Sequence, residues 1–395
     1  MVVADLFTVT WFVESVSMAA IAIPEAVAVA FSEDDLQHNV VGVSGGGTLL
    51  KNTGGTSALP TCQFNEAAVR EYLESESYPP GLIEECIAST KKYPMRFFIC
   101  DDSGSMMTMD GNKIVLNPKK PGIGIHVKCS RWDELGTSMR FHAKLAEVSG
   151  TFCQFKFLNG PTITFPRDLE GNGVANLDSI LRGSPGGGTP LCKAILDVER
   201  EIGTVASTLK SNGLSAVITI FTDGEATDGN LVNAMKPLQL LPVWVVIRLS
   251  TDEDKVVNYW NYVDDELELQ IDVLDDLSAE ATQVQQLNPF IVYTESLHHM
   301  REWGMQLKEM DHIDERQLSL DQVHKVVLAF VGKQCAAELP TDYHENLHAY
   351  VSALRRLFGG PRFRKVHNVV TARPDTWIRP DDILRLYGKK GCILM

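Results

Sequence analysis

Several common functional signatures are missing from this chain of 395 residues. Its eight cysteines include no CxxC pair, and no N-x-[ST] glycosylation sequence occurs. The first absence argues against a disulfide framework and a zinc knuckle, and both together indicate a reduced, intracellular protein. No GxxxxGK[ST] sequence is present either, so a P-loop ATPase is unsupported.

Positive charge is also scarce, since the net charge is −15. This value argues against generic nucleic-acid binding, which requires a basic surface. The apolar first 31 residues contain no Lys or Arg, and Asp5, Glu14 and Glu25 interrupt them. The charged start of a signal peptide is therefore missing. No stretch reaches the roughly 18 uninterrupted apolar residues of a membrane-spanning helix.

Composition divides the chain into five segments. In order, they are an N-terminal segment with a Gly/Ser-rich linker (1–60), a helical lead-in (61–94), an α/β domain (95–290), a helical extension (291–360) and a basic tail (361–395). Within the third segment, strand-like apolar runs alternate with amphipathic helical stretches. This alternation predicts an α/β fold with a mostly parallel sheet. Asn159-Gly160, between two alternating runs, predicts a hairpin.

Polar side chains stand at loops where predicted strands or helices meet. They are Asp101, Ser103 and Ser105 after the first strand, Thr189 at the predicted N-cap of a helix, and Asp223 after a buried strand. Open α/β sheets bind ligands beyond the carboxyl ends of their strands. Mg²⁺ takes about six oxygen ligands and tolerates retained waters. The pattern therefore predicts a site for a hard cation, with coordination capacity left for an incoming anion.

A phosphotransfer nucleophile is the alternative interpretation of the sequence DDSGS. Haloacid-dehalogenase-type enzymes resemble this strand end, but they carry a second aspartate two residues after the nucleophile. Here Ser103 occupies that position. The metal site is thus the better interpretation of Asp101.

The three loops together resemble the von Willebrand factor A domain, whose metal-ion-dependent adhesion site combines D-x-S-x-S, Gly-Gly-Thr-Pro and Thr-Asp-Gly in this order. The match covers roughly half of the chain. The resemblance implies a doubly wound, mostly parallel sheet and a Mg²⁺ ion, with Mn²⁺ and Ca²⁺ as alternatives. It implies that Ser103, Ser105 and Thr189 bind the ion directly or nearly so, while Asp101 and Asp223 act largely through water.

The function implied by this resemblance is non-catalytic binding of a protein partner, which supplies an acidic residue to the metal. One departure from the family pattern is an insertion at residues 106–129, which could cover or extend the site. A further interpretation is a scaffold whose site stays empty and whose partners bind elsewhere.

A zinc peptidase is the competing enzyme hypothesis, because His344, Glu345 and His348 form an HExxH sequence on a predicted helix. Two histidines four residues apart on a helix share one face and could bind zinc, with the glutamate as general base. The metzincin continuation is absent. The third ligand would have to be one of His367, Asp375, Asp381 or Asp382.

The last four residues, Cys392-Ile393-Leu394-Met395, form a C-a-a-X sequence that favours farnesylation of Cys392. From residue 355 onward, ten Lys or Arg stand against three Asp, a local charge of +7 in an acidic chain. One lipid chain gives only marginal membrane binding, and a basic segment supplies the second signal. We therefore expect a cytoplasmic protein that associates peripherally with the cytosolic face of a membrane.

The lipid anchor is testable in eukaryotic cells. We expect Cys392→Ser to move the protein from the membrane fraction to the cytosol, because the variant lacks the prenylated thiol. Fractionation and intact mass measure this directly. Equal distribution of the two proteins, with no lipid mass on the wild type, would rule out the anchor.

Overall fold

The computed structural model describes residues 59–60, 63–120, 122–166, 173–305 and 307–388. The chain divides into two units, Met1–Gly54 and Gly55–Met395, and the described residues all belong to the second. The predicted N-terminal segment up to residue 58, and Cys392 with its neighbours, lie outside the described residues, and the boundaries of the five segments stay predictions. None of the described helices is long and apolar enough to cross a membrane.

A six-stranded sheet forms the centre of the fold, in the order β5-β4-β1-β6-β7-β8. Its neighbouring strands are parallel, except that β5 runs antiparallel to β4. Numbered along the chain, these six strands follow the order 3-2-1-4-5-6 of a doubly wound sheet. The strands are β1 (Met95–Cys100), β4 (Phe152–Phe157), β5 (Thr162–Phe165), β6 (Ala216–Thr222), β7 (Val243–Leu249) and β8 (Ile271–Leu274).

Two small antiparallel pairs lie outside this sheet: β2 (Gly111–Leu116) with β3 (Gly124–Cys129), and β9 (Val366–His367) with β10 (Pro374–Asp375). The described helices are α1 (Glu66–Ser75), α2 (Pro80–Lys92), α3 (Arg131–Ser149), α4 (Gly173–Leu181), α5 (Leu191–Gly203), α6 (Ala206–Ser211), α7 (Leu231–Met235), α8 (Asp254–Asp265), α9 (Leu277–Leu287), α10 (Glu295–Glu302), α11 (Leu320–Ala336), α12 (Leu347–Phe358) and α13 (Pro380–Tyr387).

Helices cover both faces of the sheet, and alternate side chains of β1 pack against the helices on opposite faces. Phe98 and Cys100 belong to a core shared with α1 to α4 and α9 to α13. Phe97 and Ile99 point to the other face, into a core shared with α5 to α8. Successive side chains of a strand point to opposite faces, so a strand buried on both sides must be apolar throughout. The α/β fold predicted from such runs is confirmed.

Local sequence signals placed most elements correctly. Ser130 is the N-cap of α3, and its side-chain oxygen accepts a hydrogen bond of 3.0 Å from the Asp133 N–H. Asn159-Gly160 turns β4 into β5 as predicted. The insertion is a hairpin formed by β2 and β3. The N-cap prediction for Thr189 is wrong by one residue, because α5 begins at Leu191 and its N-cap is Pro190.

A fully buried polar cluster joins α3, β7 and α10 beneath the sheet. Glu302 is completely buried; its Oε2 lies 2.8 Å from His142 Nε2, and its Oε1 accepts a hydrogen bond of 3.1 Å from the Ser138 hydroxyl. Arg248, also buried, lies 3.4 Å from the same carboxylate and pairs with Glu134. Burial opposes the charge of Glu302, but His142 and its neighbours hold the pKa of that carboxyl well below its usual range.

We expect Glu302→Ala to lower the free energy of unfolding by about 3–5 kcal/mol, because it leaves buried partners uncompensated. Glu302→Gln keeps an acceptor of the same size and should lose less. Urea unfolding of both variants measures the difference. A loss under about 1 kcal/mol in both would show that the cluster contributes little to stability.

Candidate metal centre

The strand order places the candidate site where the sheet changes its winding direction. β1 and β6 are adjacent parallel strands, and the connections leaving them run toward opposite edges of the sheet. Ligands of open α/β sheets bind in the crevice that this reversal leaves beyond the carboxyl ends of the two strands. Asp101 directly follows β1, and Asp223 directly follows β6. Both predicted carboxylates therefore lie at this crevice.

Hydrogen bonds link four of the five predicted residues into one chain. Asp101 Oδ1 accepts from the Ser103 N–H at 2.9 Å. The hydroxyl oxygens of Ser103 and Ser105 are 3.0 Å apart. The Ser105 hydroxyl donates to Asp223 Oδ1 at 2.9 Å. Asp101, Ser103 and Asp223 are buried, whereas Ser105 is exposed, so this hydrogen-bonded chain reaches the surface at Ser105.

Thr189, the fifth predicted residue, lies on a loop that packs against the loop after β1. The Gly186 N–H donates to Asp102 O at 2.7 Å, and the Gly104 N–H donates to Gly187 O at 3.2 Å. Gly187 has a φ of +96°, and an added Cβ would lie 2.6 Å from Asn159 Oδ1, so only glycine fits this approach. Thr189 itself is buried, and its N–H donates to the Thr227 hydroxyl at 3.0 Å.

Three residues that the sequence did not predict hold this site together. The Thr222 hydroxyl donates to Asp101 Oδ2 at 2.8 Å. Asp102 Oδ1 accepts from the Asn159 N–H at 2.8 Å, which ties the β4–β5 turn to the site. Arg131 donates to Asp223 Oδ2 at 3.0 Å from the start of α3. Thr222 and Asp102 adjoin predicted residues and could have been found, but no local pattern marks Arg131.

Arg131 is the electrostatic centre of the surrounding loops. Its side chain is buried, and besides Asp223 it binds Asp110 through two hydrogen bonds of 2.9 and 2.6 Å and Glu253 through one of 2.8 Å. Burial alone would lower the pKa of this guanidinium, but the three carboxylates raise it above its usual value. The same contacts lower the pKa of Asp110. Arg131 therefore stays charged and fixes the second oxygen of Asp223.

Asp101 has the opposite electrostatic environment. Burial raises its pKa, the hydrogen bonds from Ser103 oppose this shift, and the nearby charge of Asp223 raises it further. The two carboxylates thus face each other across the two serine hydroxyls, with only Asp223 paired to a cation of the chain. This set of carboxylate and hydroxyl oxygens fits a hard divalent cation, because such ions take oxygen ligands and favour deprotonated carboxylates.

Three other loop carboxylates are engaged elsewhere. Asp110 binds Arg131, and Glu225 lies 2.8 Å from Lys255 Nζ. Asp228 accepts the N–H groups of Cys192 and Lys193 at the start of α5. A second ion at these residues therefore has no support in the described structure.

The prediction that a helix carries the whole HExxH sequence is wrong for the first half of that sequence. α12 begins at Leu347 with Asn346 as its N-cap, so His344 and Glu345 lie in the turn before it. The side-chain oxygen of Asn346 accepts from the Ala349 N–H at 3.1 Å, and this cap fixes the start of the helix after His344 and Glu345. The two histidines therefore do not share one helical face.

The possible zinc ligands are also engaged or dispersed. His344 Nε2 lies 2.6 Å from Asp321 Oδ1, while His348 is exposed. The four residues considered for the third position contact Gly122, Arg379, Arg355 and Arg385 respectively. In the described part of the chain, no three His, Cys, Asp or Glu side chains are grouped to hold a metal ion.

No family model and no curated protein matches this chain. Among solved structures, it is similar to the conserved hypothetical protein BatB from Bacteroides thetaiotaomicron, with 16% sequence identity and a TM-score of 0.31. The alignment covers 49% of this chain and 96% of that one. The fold assignment rests on the order and direction of the strands, not on this similarity.

The two aspartates should respond in opposite ways to neutralisation. The folded protein binds the Asp101 proton more tightly than the unfolded chain does, so stability falls as pH rises from the usual aspartate range through the raised pKa. In EDTA, we expect Asp101→Asn to raise the melting temperature, by an amount that grows as the pH rises from the usual aspartate range to the raised pKa of Asp101 and is constant above it.

Asp223→Asn is the matched control for this experiment. It should lower the free energy of unfolding by about 1–3 kcal/mol, because it removes a charged partner of buried Arg131. Thermal melts across pH compare the variants. A pH-independent effect of Asp101→Asn would contradict the assigned environment of Asp101.

Proposed function

We propose that this chain is a non-catalytic protein-binding module of the von Willebrand factor A type, which binds its partner through Mg²⁺. The observation that carries the proposal is the hydrogen-bonded chain from Asp101 through Ser103 and Ser105 to Asp223 at the crevice of a doubly wound sheet. It is supported by the order of the three loop sequences, which resembles that family.

The spacing of the oxygens is compatible with Mg²⁺. Adjacent ligands of an octahedral Mg²⁺, at 2.0–2.1 Å from the ion, lie about 2.9 Å apart. The separations from Ser103 Oγ to Ser105 Oγ and from Ser105 Oγ to Asp223 Oδ1 are 3.0 and 2.9 Å. These oxygens could therefore become neighbouring ligands with little movement.

The residues have distinct roles in this proposal. Ser103, Ser105 and Thr189 would hold the ion, while Asp101 and Asp223 supply negative charge and orient the hydroxyls and waters. Arg131 and Thr222 each hold one carboxylate oxygen in place. A bound Mg²⁺ supplies a positive centre to which a carboxylate of the partner can bind. Because Ser105 is exposed, that carboxylate would approach from its side of the site.

This arrangement also favours binding over catalysis. Asp101 is completely buried, and its oxygens are occupied by Ser103 and Thr222. A nucleophile must reach its substrate, whereas a carboxylate that orients a metal shell need not be accessible. Membrane association through Cys392 stays a separate prediction, because that residue lies outside the described part of the chain.

We expect excess Mg²⁺ to raise the melting temperature, since an ion that binds only the native state stabilises it by about 2.7 kcal/mol at a hundred times its Kd. Ca²⁺ serves as the comparison ion. Asp101→Ala should abolish the Mg²⁺ shift, because it removes one of two carboxylates and leaves the cation undercompensated. Scanning fluorimetry with Mg²⁺, Ca²⁺ and EDTA measures these shifts.

Glu225→Ala serves as the control, because it removes a carboxylate next to Asp223 that pairs with exposed Lys255 instead. It should keep the Mg²⁺ shift. Affinity capture with Mg²⁺ and with EDTA then tests the function itself, with wild type and Asp101→Ala compared. An unchanged Mg²⁺ response in Asp101→Ala would refute the site.

A further inference from the structure

The hairpin formed by β2 and β3, together with the segment leading into it, has an unusually apolar surface. Ten large hydrophobic side chains are exposed in the described part of the chain, and six of them lie between residues 107 and 125. They are Met107, Met109, Val115, Leu116, Ile123 and Ile125. Single exposed apolar side chains are ordinary, but a concentration of them in one element marks an interaction surface.

The two faces of the hairpin have different surroundings. On one face, Ile114 packs against the main core, and the Gly124 N–H donates to Ala372 O at 2.8 Å. On the other face, Val115 is paired with Ile125 across the strands, and the two side chains are 42% and 41% exposed. The pair Lys113 and Val127 continues this second face. We call these four residues the outer face.

Contacts at the base of the hairpin fix it to the candidate metal centre. Asp110, which precedes β2, binds both Nε and Nη2 of Arg131, whose Nη1 binds Asp223. Glu134 Oε2 accepts the Asn112 N–H at 2.8 Å, and the Arg131 N–H donates to Thr108 O at 3.0 Å. The exposed Met107 and Met109 lie between Ser105 and this base. In sequence, the two exposed methionines therefore lie between the proposed metal ligand Ser105 and the hairpin.

The charge of the hairpin differs in sign from that of the protein. Residues 107–129 contain four Lys and one Asp, which gives a local charge of +3, whereas the net charge of the whole chain is −15. Lys113 lies on the outer face itself. An acidic and partly apolar partner segment is complementary to this surface, and the metal also requires a carboxylate.

We propose that the outer face of the hairpin is the second half of the partner-binding surface, and that it binds an apolar, acidic segment of a protein whose carboxylate reaches the metal. This inference rests on the proposed function and adds the chemistry of the partner. A narrow peptide segment can contact the hairpin and the metal without meeting neighbouring carboxylates. An anionic bilayer is broad and would be repelled by Asp252, Glu253 and Asp254 at the start of α8.

The probe is a set of short random peptides displayed on phage and selected on the full chain in Mg²⁺. We expect the selected peptides to combine Asp or Glu with apolar neighbours. The double variant Val115→Thr with Ile125→Thr should bind them about tenfold more weakly, because threonine keeps the β-branched shape but loses apolar contact. Lys113→Glu should weaken binding as well.

Matched controls lie elsewhere on the surface. Leu240→Thr removes another exposed apolar side chain, and Lys236→Glu reverses another exposed lysine. Both should bind the peptides as the wild type does. The double variant should keep the wild-type Mg²⁺ melting shift, which shows that its fold and metal centre are intact.

The same experiments distinguish failure of the hairpin inference from failure of the proposed function. Equal peptide affinity for wild type and the double variant, with binding lost in EDTA, overturns the role of the hairpin and leaves the proposed function standing. Binding that EDTA does not reduce overturns both. Two further results would overturn the inference. If the protein floats with phosphatidylserine–phosphatidylcholine vesicles and the double variant does not, the outer face binds a membrane. If the protein self-associates in the ultracentrifuge and the double variant does not, the outer face binds a second copy of the chain.

Discussion

The candidate site depends on the parallel pairing of β1 with β6. In this register Cys100 lies opposite Phe221, so the two strands end within one residue of each other and deliver Asp101 and Asp223 to one crevice. The Asp101 N–H continues the ladder by donating to Phe221 O at 2.9 Å. A shift by one residue would turn every side chain of β1 to the other face of the sheet. The two apolar cores on either side of β1 prevent such a shift.

Bringing two carboxylates together at a buried crevice is unfavourable without compensation. The chain compensates Asp223 with Arg131, and it holds Asp101 only through hydrogen bonds from neutral groups. This asymmetry leaves burial, together with the charge of Asp223, to raise the pKa of Asp101. It also fits a site in which a cation from solution completes the charge balance. The same arginine connects the crevice to the hairpin, so the local charge arrangement and the shape of the adjoining surface are coupled.

Much of the architecture could be predicted from local patterns. Buried strands are apolar runs in the sequence, Ser130 marks the start of a helix, and Asn159-Gly160 marks a hairpin. Each of these signals depends only on the backbone within a few residues. The errors have the same origin. His344 to His348 match a helical spacing, but Asn346 caps the helix that follows it. Thr189 precedes Pro190, and the helix begins one residue later because the chain first turns toward Thr227.

The sequence by itself determined the residues at the strand ends, the chemistry of their oxygens and the alternation of strands with helices. These properties are local, since they depend on residue type and on neighbours along the chain. Only the tertiary structure decided that Arg131 pairs with Asp223, that Thr222 holds Asp101, and that the insertion presents an apolar outer face. Such contacts join residues tens of positions apart, and they form only where the sheet order and helix packing bring those side chains within hydrogen-bonding distance.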